Sequence, residues 1–206
     1  INSVNKQITV HPLPVAGFSF TDVCDGSPVN FTDTSTVLTG AITQWDWFFD
    51  DGNISSTQNT SNNYLNPGQY DVVLTVTTDS GCVDSFTYPV NNFPVPVPDF
   101  VVANPCLNVT SQFNNTSTIF SGAIQTNSWD FGDGGISPAV SPSHLYGADG
   151  TYTVKLITTS DEGCIDSISK NISVNPLPVA DFSFTDTCQG VVVSFTDLSS
   201  VTSTNI

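Results

Sequence analysis

Apolar and polar residues alternate along most of this chain with the period of two that marks a strand with one face in a core. The run YDVVLTV at Tyr70–Val76 is the clearest case, placing Tyr70, Val72, Leu74 and Val76 on one side and Asp71, Val73 and Thr75 on the other. Between residues 16 and 90 the pattern predicts strands at Ala16–Phe20, Val29–Asp33, Ile42–Phe49, Ile54–Thr57, Tyr70–Thr78 and Val83–Val90, broken by clusters of Gly, Asn, Asp and Ser. Short strands at a spacing of about 8–12 residues with turn signals between them describe an antiparallel sandwich. No stretch long enough for an amphipathic helix is free of Gly, Pro or β-branched runs, so the expected fold class is all-β.

The pattern repeats. Phe18, Phe100 and Phe182 stand 82 residues apart, and the same shift carries Cys24 onto Cys106 and Cys188, Trp47 onto Trp129, Tyr70 onto Tyr152 and Cys82 onto Cys164. A fixed period of this length means one structural unit used several times. The expected organisation is residues 1–13 as the last strand of a preceding copy, 14–95 as repeat 1, 96–177 as repeat 2 and 178–206 as the first strands of a third copy. Because the chain opens in mid-pattern, with INSVNKQITV, it is expected to be a piece of a longer protein. Prolines gather where copies meet, in HPLPVAG, FPVPVPD and NPLPVAD, and fixed φ angles there predict short, stiff linkers and a head-to-tail rod.

Charge narrows the partners. Three Lys plus Arg against 19 Asp plus Glu give a net charge of −16. Nucleic acid is excluded as a partner, since phosphate binding needs clustered cations, and no apolar run is long enough for a membrane-spanning helix. Uncompensated carboxylates are hard oxygen donors, so calcium is the one ion the composition admits. The candidates are Asp50, Asp51, Asp130 and Asp133 in the tight turns; no other cofactor is expected.

The segment SWDFGDGG at Ser128–Gly135, followed by SHLYGADGTYTVKLITT, resembles the PKD domain, an immunoglobulin-like β-sandwich with a W-x-F-G-D-G turn ahead of an H-x-Y and a G-x-Y-x-V strand. Trp129, Phe131, Gly132, Asp133, Gly134, His144, Tyr146, Gly150 and Tyr152 fall on that pattern. Repeat 1 departs from it: Asp50 stands in place of the first turn glycine, and Asn62 in place of the histidine, beside Trp47 and Tyr70, which conform. Asp tolerates left-handed backbone better than most residues, so the fold is expected to survive. The V-x-F-T-D-x-S strand and the G-C-x-D-S step at Gly81–Ser85 and Gly163–Ser167 are similar to PKD repeats of giant Bacteroidetes surface proteins, including gliding-motility adhesins.

That resemblance implies a non-catalytic extracellular stalk or adhesin on a bacterial outer surface, in contact with neighbouring repeats. It also admits lateral self-association into filaments and binding to surface glycans or polymer substrata. The alternatives are accessory PKD modules of a secreted polysaccharide- or protein-degrading enzyme, or a direct glycan-binding module. Two cysteines per copy suggest structural disulfides and an oxidising compartment. Two pairings stand open: Cys24–Cys82 with Cys106–Cys164 inside each repeat, or Cys24–Cys164 between repeats. The first is the simpler, but in such a sandwich these turns lie at opposite ends, beyond the ~7 Å reach of a disulfide. Cys188 is expected to pair outside this sequence.

His11 and His144 have no cysteine or second histidine at metal spacing, and the turn aspartates are expected to satisfy backbone N–H groups, not to act as a hydrolase pair. Trp47 and Trp129 are expected in the core. Trp45, two residues from Trp47, shares its face, and a sugar-stacking role is the functional reading open to it.

Overall fold

The computed structural model describes residues 4–103 and 105–201. Ile1–Ser3 and residues 202–206, at the outer ends of the expected partial copies, and Asn104 lie outside the described residues. The chain divides into two compact units, Ile1–Pro94 and Val95–Ile206.

In the first unit the strands are β1 (Phe18–Ser19), β2 (Val23–Cys24), β3 (Val29–Asp33), β4 (Ile42–Phe48), β5 (Ile54–Ser55), β6 (Thr60–Asn62), β7 (Gly68–Thr78) and β8 (Val83–Phe93). They form a three-stranded sheet in the order β1-β3-β6 and a five-stranded sheet in the order β2-β8-β7-β4-β5. Between the sheets lie Val29, Phe31, Trp47, Phe49, Tyr64, Val72, Leu74, Val76 and Val90, all buried. The alternation in β7 follows from this: Val72, Leu74 and Val76 face that core. Tyr70 is only half-buried and stacks on Tyr64, with ring centroids 4.0 Å apart.

The second unit repeats the plan. Its strands are β9 (Phe100–Val102), β10 (Ser111–Asn115), β11 (Ile124–Asp130), β12 (Ile136–Ser137), β13 (Ser143–His144), β14 (Gly150–Ser160), β15 (Ile165–Val174), β16 (Phe182–Phe184) and β17 (Phe195–Asp197). The sheet orders are β13-β10-β9 and β12-β11-β14-β15, with β16 and β17 a separate antiparallel pair. Trp129, Phe113, Phe131, Tyr146, Val154 and Leu156 fill the core. Even the irregularities recur: the ladder of β4 on β7 slips between Ile42 and Gln44, and that of β11 on β14 slips between Ile124 and Thr126.

The strands differ from the sequence pattern in several places, the first being only Phe18–Ser19 of the expected Ala16–Phe20. β2 and β6 are too short to show a period, and β2 runs parallel to β8, with Val23 opposite Asn92 and Cys24 opposite Phe93. β5 ends at Ser55, two residues before its expected end. Residues 4–13, expected to hold a strand, form none: Val4, Ile8 and Val10 are exposed. A strand exists only through its ladder, and none of the described strands pairs with this segment.

Candidate functional site

The residues singled out by sequence converge, in each unit, on the turn that leaves the tryptophan strand. Trp129 is fully buried and its Nε1 donates to Ala139 O at 2.9 Å; Trp47 does the same to Thr57 O at 2.9 Å. Each indole thus ties the tryptophan strand to the chain just beyond the short strand that follows the turn.

In the second unit the chain then passes through Gly132, whose φ is 82°. Any Cβ there would lie 2.7 Å from Thr153 O on β14, so glycine is required twice over, by conformation and by space. Asp130 Oδ1 accepts the N–H of Gly132 and Asp133 Oδ1 that of Gly135, both at 2.9 Å. Asp133 Oδ2 lies 2.7 Å from His144 Nε2. Burial raises the Asp133 carboxyl, but the bonds from His144 and Gly135 outweigh it and hold the group below the usual carboxylate range. The His144 ring stacks on Phe131 at 4.1 Å and stands edge-on to Tyr146 at 4.6 Å. Tyr146 Oη, in turn, donates to Phe131 O at 3.1 Å, and burial pushes its phenol well up.

The first unit builds the same turn from other side chains. Asp50 occupies the left-handed position, at φ 63°. Its Oδ2 accepts the N–H of Asp71, the residue equivalent to Thr153, at 3.2 Å. Asp51 Oδ1 accepts Asn53 N at 2.9 Å, and its Oδ2 accepts Asn62 Nδ2 at 2.7 Å and Asn53 Nδ2 at 2.9 Å. An amide pair replaces the imidazole. Tyr64 Oη, at the place of Tyr146, is buried and makes no hydrogen bond, and burial pushes its phenol up to about 12.

All four candidate calcium ligands therefore serve as acceptors or carriers of these turns. Among the described residues no group of three or more His, Cys, Asp or Glu side chains is arranged to hold a metal. His11 is elsewhere, its Nδ1 3.1 Å from Ser80 Oγ. Trp45 is half-buried against the core and donates from Nε1 to Asp33 Oδ2 at 2.7 Å, which ties its polar edge to β3. Its equivalent is Asn127, whose Oδ1 accepts Asn115 Nδ2 at 2.7 Å. Neither copy alone hints at this exchange of Trp–Asp for Asn–Asn; comparing the two copies position by position exposes it.

Cys24 and Cys164 each take part in a disulfide. Cys82 and Cys188 carry thiols. The pairing of Cys24 with Cys82 is therefore corrected, and the reason is geometric. Cys24 lies opposite Phe93 at one end of β8, while Cys82 precedes Val83 at the other. A strand of that length spans about 35 Å, against a disulfide reach of about 7 Å. Cys106 and Cys164 stand the same way about β15, Cys106 bridging to Asn175 beyond its far end.

A family profile described as PKD domain matches residues 10–91 and 94–176. The chain belongs to the PKD domain family, in two tandem copies of an all-β fold. Among curated proteins, the pre-pro-metalloprotease PrtV of Vibrio cholerae is 37% identical over 92 residues, 43% of this chain and 10% of that protein. A microbial collagenase of Vibrio alginolyticus is 36% identical over 64 residues, 31% of this chain and 8% of that protein. The chain therefore spans a tenth or less of the length of these relatives. The solved PKD1 domain of the PrtV metalloprotease is 34% identical, covering 39% of this chain and 96% of that one at a TM-score of 0.37. The matched segments are non-catalytic modules.

Proposed function

We propose that this chain is a non-catalytic structural spacer of an extracellular protein, part of a surface stalk or adhesin built from further copies of the same repeat. The observation that supports this reading most is the use made of polar chemistry in the two turns. Asp51, Asp130 and Asp133 each accept backbone N–H groups of their own turn, and Asp50 accepts one from β7, so the acids stabilise turns instead of gathering around a reactive centre. Repetition of one closed core at an 82-residue period suits a load-bearing or distance-setting part. Disulfide-bonded cysteines suit an oxidising, extracellular setting. The similarity of the V-x-F-T-D-x-S and G-C-x-D-S steps to Bacteroidetes surface repeats supports a gliding-motility type of adhesin on a bacterial outer surface. Neighbouring repeats are then the chief partners, with filament formation through sheet edges or contact with surface glycans as further ones.

One observation favours a second reading. The curated relatives are named as collagenases and a metalloprotease, so the same modules can serve as accessories of a secreted degradative enzyme. Single-molecule pulling of the reduced chain separates success from failure of the first reading: two rupture steps of equal contour gain are expected, and smooth extension without ruptures overturns it. Retention of the chain on insoluble collagen or polysaccharide in a pull-down would favour the accessory role over the spacer.

A further inference from the structure

On one side of each sandwich the edges of the two sheets face each other across a gap. In the first unit these edges are β1 and β8, the latter extended only by the two residues of β2; in the second they are β9 and β15. The second unit closes its gap with a lysine. Lys170, on β15, donates from Nζ to Phe100 O at 2.6 Å, pairs with Asp99 and lies 4.9 Å over the Phe100 ring. Phe100 beneath it is 1% exposed.

The first unit leaves the gap open. One period earlier, Lys170 becomes Tyr88, Asp99 becomes Gly17, Val102 becomes Phe20 and Ile168 becomes Phe86. The result is a cleft of about 380 Å³ lined by Phe18, Ser19, Phe20, Asp22, Phe86 and Tyr88. Its walls are rings: Phe86 lies 5.3 Å from Phe18 and 6.1 Å from Tyr88, and Phe20 lies 5.7 Å from Tyr88. Tyr88 is half exposed. The backbone register is unchanged, with Phe18 opposite Asp33 as Phe100 is opposite Asn115, so the Phe18 carbonyl turns to the cleft as that of Phe100 turns to Lys170.

The charges around the cleft are all of one sign. Asp22, which lines it, accepts Asn91 N at 2.7 Å, and Asp84, two residues before Phe86 on the same face of β8, accepts Ala16 N at 2.9 Å. A carboxylate has lone pairs to spare beyond one such bond. The single Lys or Arg among residues 1–94 is Lys6, which is exposed.

We propose that this cleft of the first unit binds a lysine side chain of a partner protein, in the place that the second unit fills with its own Lys170. The methylenes pack between Phe20, Phe86 and Tyr88, and the ammonium lies over the rings and donates to Phe18 O. Asp22 and Asp84 keep the rim negative, so the site draws cations and turns away anions. The first unit is thus a recognition module, and the second is the same module with its site already occupied. This holds for a spacer or an accessory module alike, so its test is independent of the function proposed above.

Titration of the isotope-labelled chain with the peptide acetyl-GGKGG-amide, followed through backbone amide shifts, decides it. Saturable shifts are expected at Ser19, Phe20, Phe86 and Tyr88, with β9 and β15 unmoved. Acetylating the lysine of the peptide should weaken binding about tenfold, because the cation is lost. Tyr88→Lys should abolish binding, since the cleft then fills itself, and Tyr88→Leu should weaken it about threefold by removing one ring. Unchanged shifts in β4 and β7 show that both variants stay folded. Equal binding of the charged and acetylated peptides, shifts spread over the acidic residues of both units, or full binding by Tyr88→Lys overturns the proposal. Shifts at the same four residues with methyl glucoside, and none with the lysine peptide, would make this a sugar site and overturn it as well.

Discussion

In the first unit the chain leaves β4 through Phe49-Asp50-Asp51-Gly52-Asn53, and in the second it leaves β11 through Phe131-Gly132-Asp133-Gly134-Gly135. Both turns need a left-handed residue at the second position and an acceptor for the fifth residue's N–H, and both have them. They differ in what fills the space above. The second unit leaves its glycines bare and lets the His144 ring settle on Phe131; the first uses Asp50, Asn53 and Asn62 to knit the same volume with short polar side chains. One backbone therefore accepts two internally consistent packings, and a residue that suits one is wrong in the other.

The largest break in this comparison is expected at the left-handed position. Gly132→Ala adds a Cβ 2.7 Å from Thr153 O at φ 82°, and strain plus overpacking should cost about 2–4 kcal/mol. Asp50→Gly relieves positive φ but loses the bond to Asp71 N and gains unfolded-state freedom, so its net effect should stay within about 1 kcal/mol. Chemical denaturation, with hydrogen exchange at β14 and β7 to tell the units apart, measures both. Equal costs for the two substitutions would show that the turn has no need of glycine in the second unit.

A smaller effect tests whether the fillings are coupled. A Cβ on Gly135 would lie 2.5 Å from His144 Cε1, and the first unit has Asn53 at that position and no histidine opposite. Asn62→His alone should therefore destabilise the first unit by about 1–2 kcal/mol, because Asn53 blocks the ring and the amide bridge to Asp51 is lost. Adding Asn53→Gly should recover much of that loss. A double-mutant coupling near zero would make the two positions independent and remove the idea of matched packings.

What was legible beforehand divides along the same line. The repeat, the core tryptophans, the β7 alternation and the left-handed Asp50 follow from residues that obey a period or a motif, since burial and backbone sterics act on each copy alike. β2 was hidden because two residues carry no period, and its parallel pairing with β8 is a long-range contact that local pattern does not encode. The packing of His144 against Gly135 was equally silent in either residue alone. Only the joint change to Asn53 and Asn62 in the other copy signals it.

The finest distinction lies in one hydroxyl. Tyr146 and Tyr64 occupy equivalent core positions, yet Tyr146 Oη donates to Phe131 O at 3.1 Å while Tyr64 Oη is buried without a partner. A buried hydrogen bond is worth about 0.5–1.5 kcal/mol, whereas an unsatisfied hydroxyl has already lost its hydration and returns nothing. Tyr146→Phe should cost the second unit about 1 kcal/mol, and Tyr64→Phe should be neutral or slightly stabilising in the first. Denaturation midpoints at constant m-value are the measurement. An equal loss in both units would mean that Tyr64 has a bonded partner in solution and that the two cores are satisfied in the same way, which would confine their difference to the turn above them.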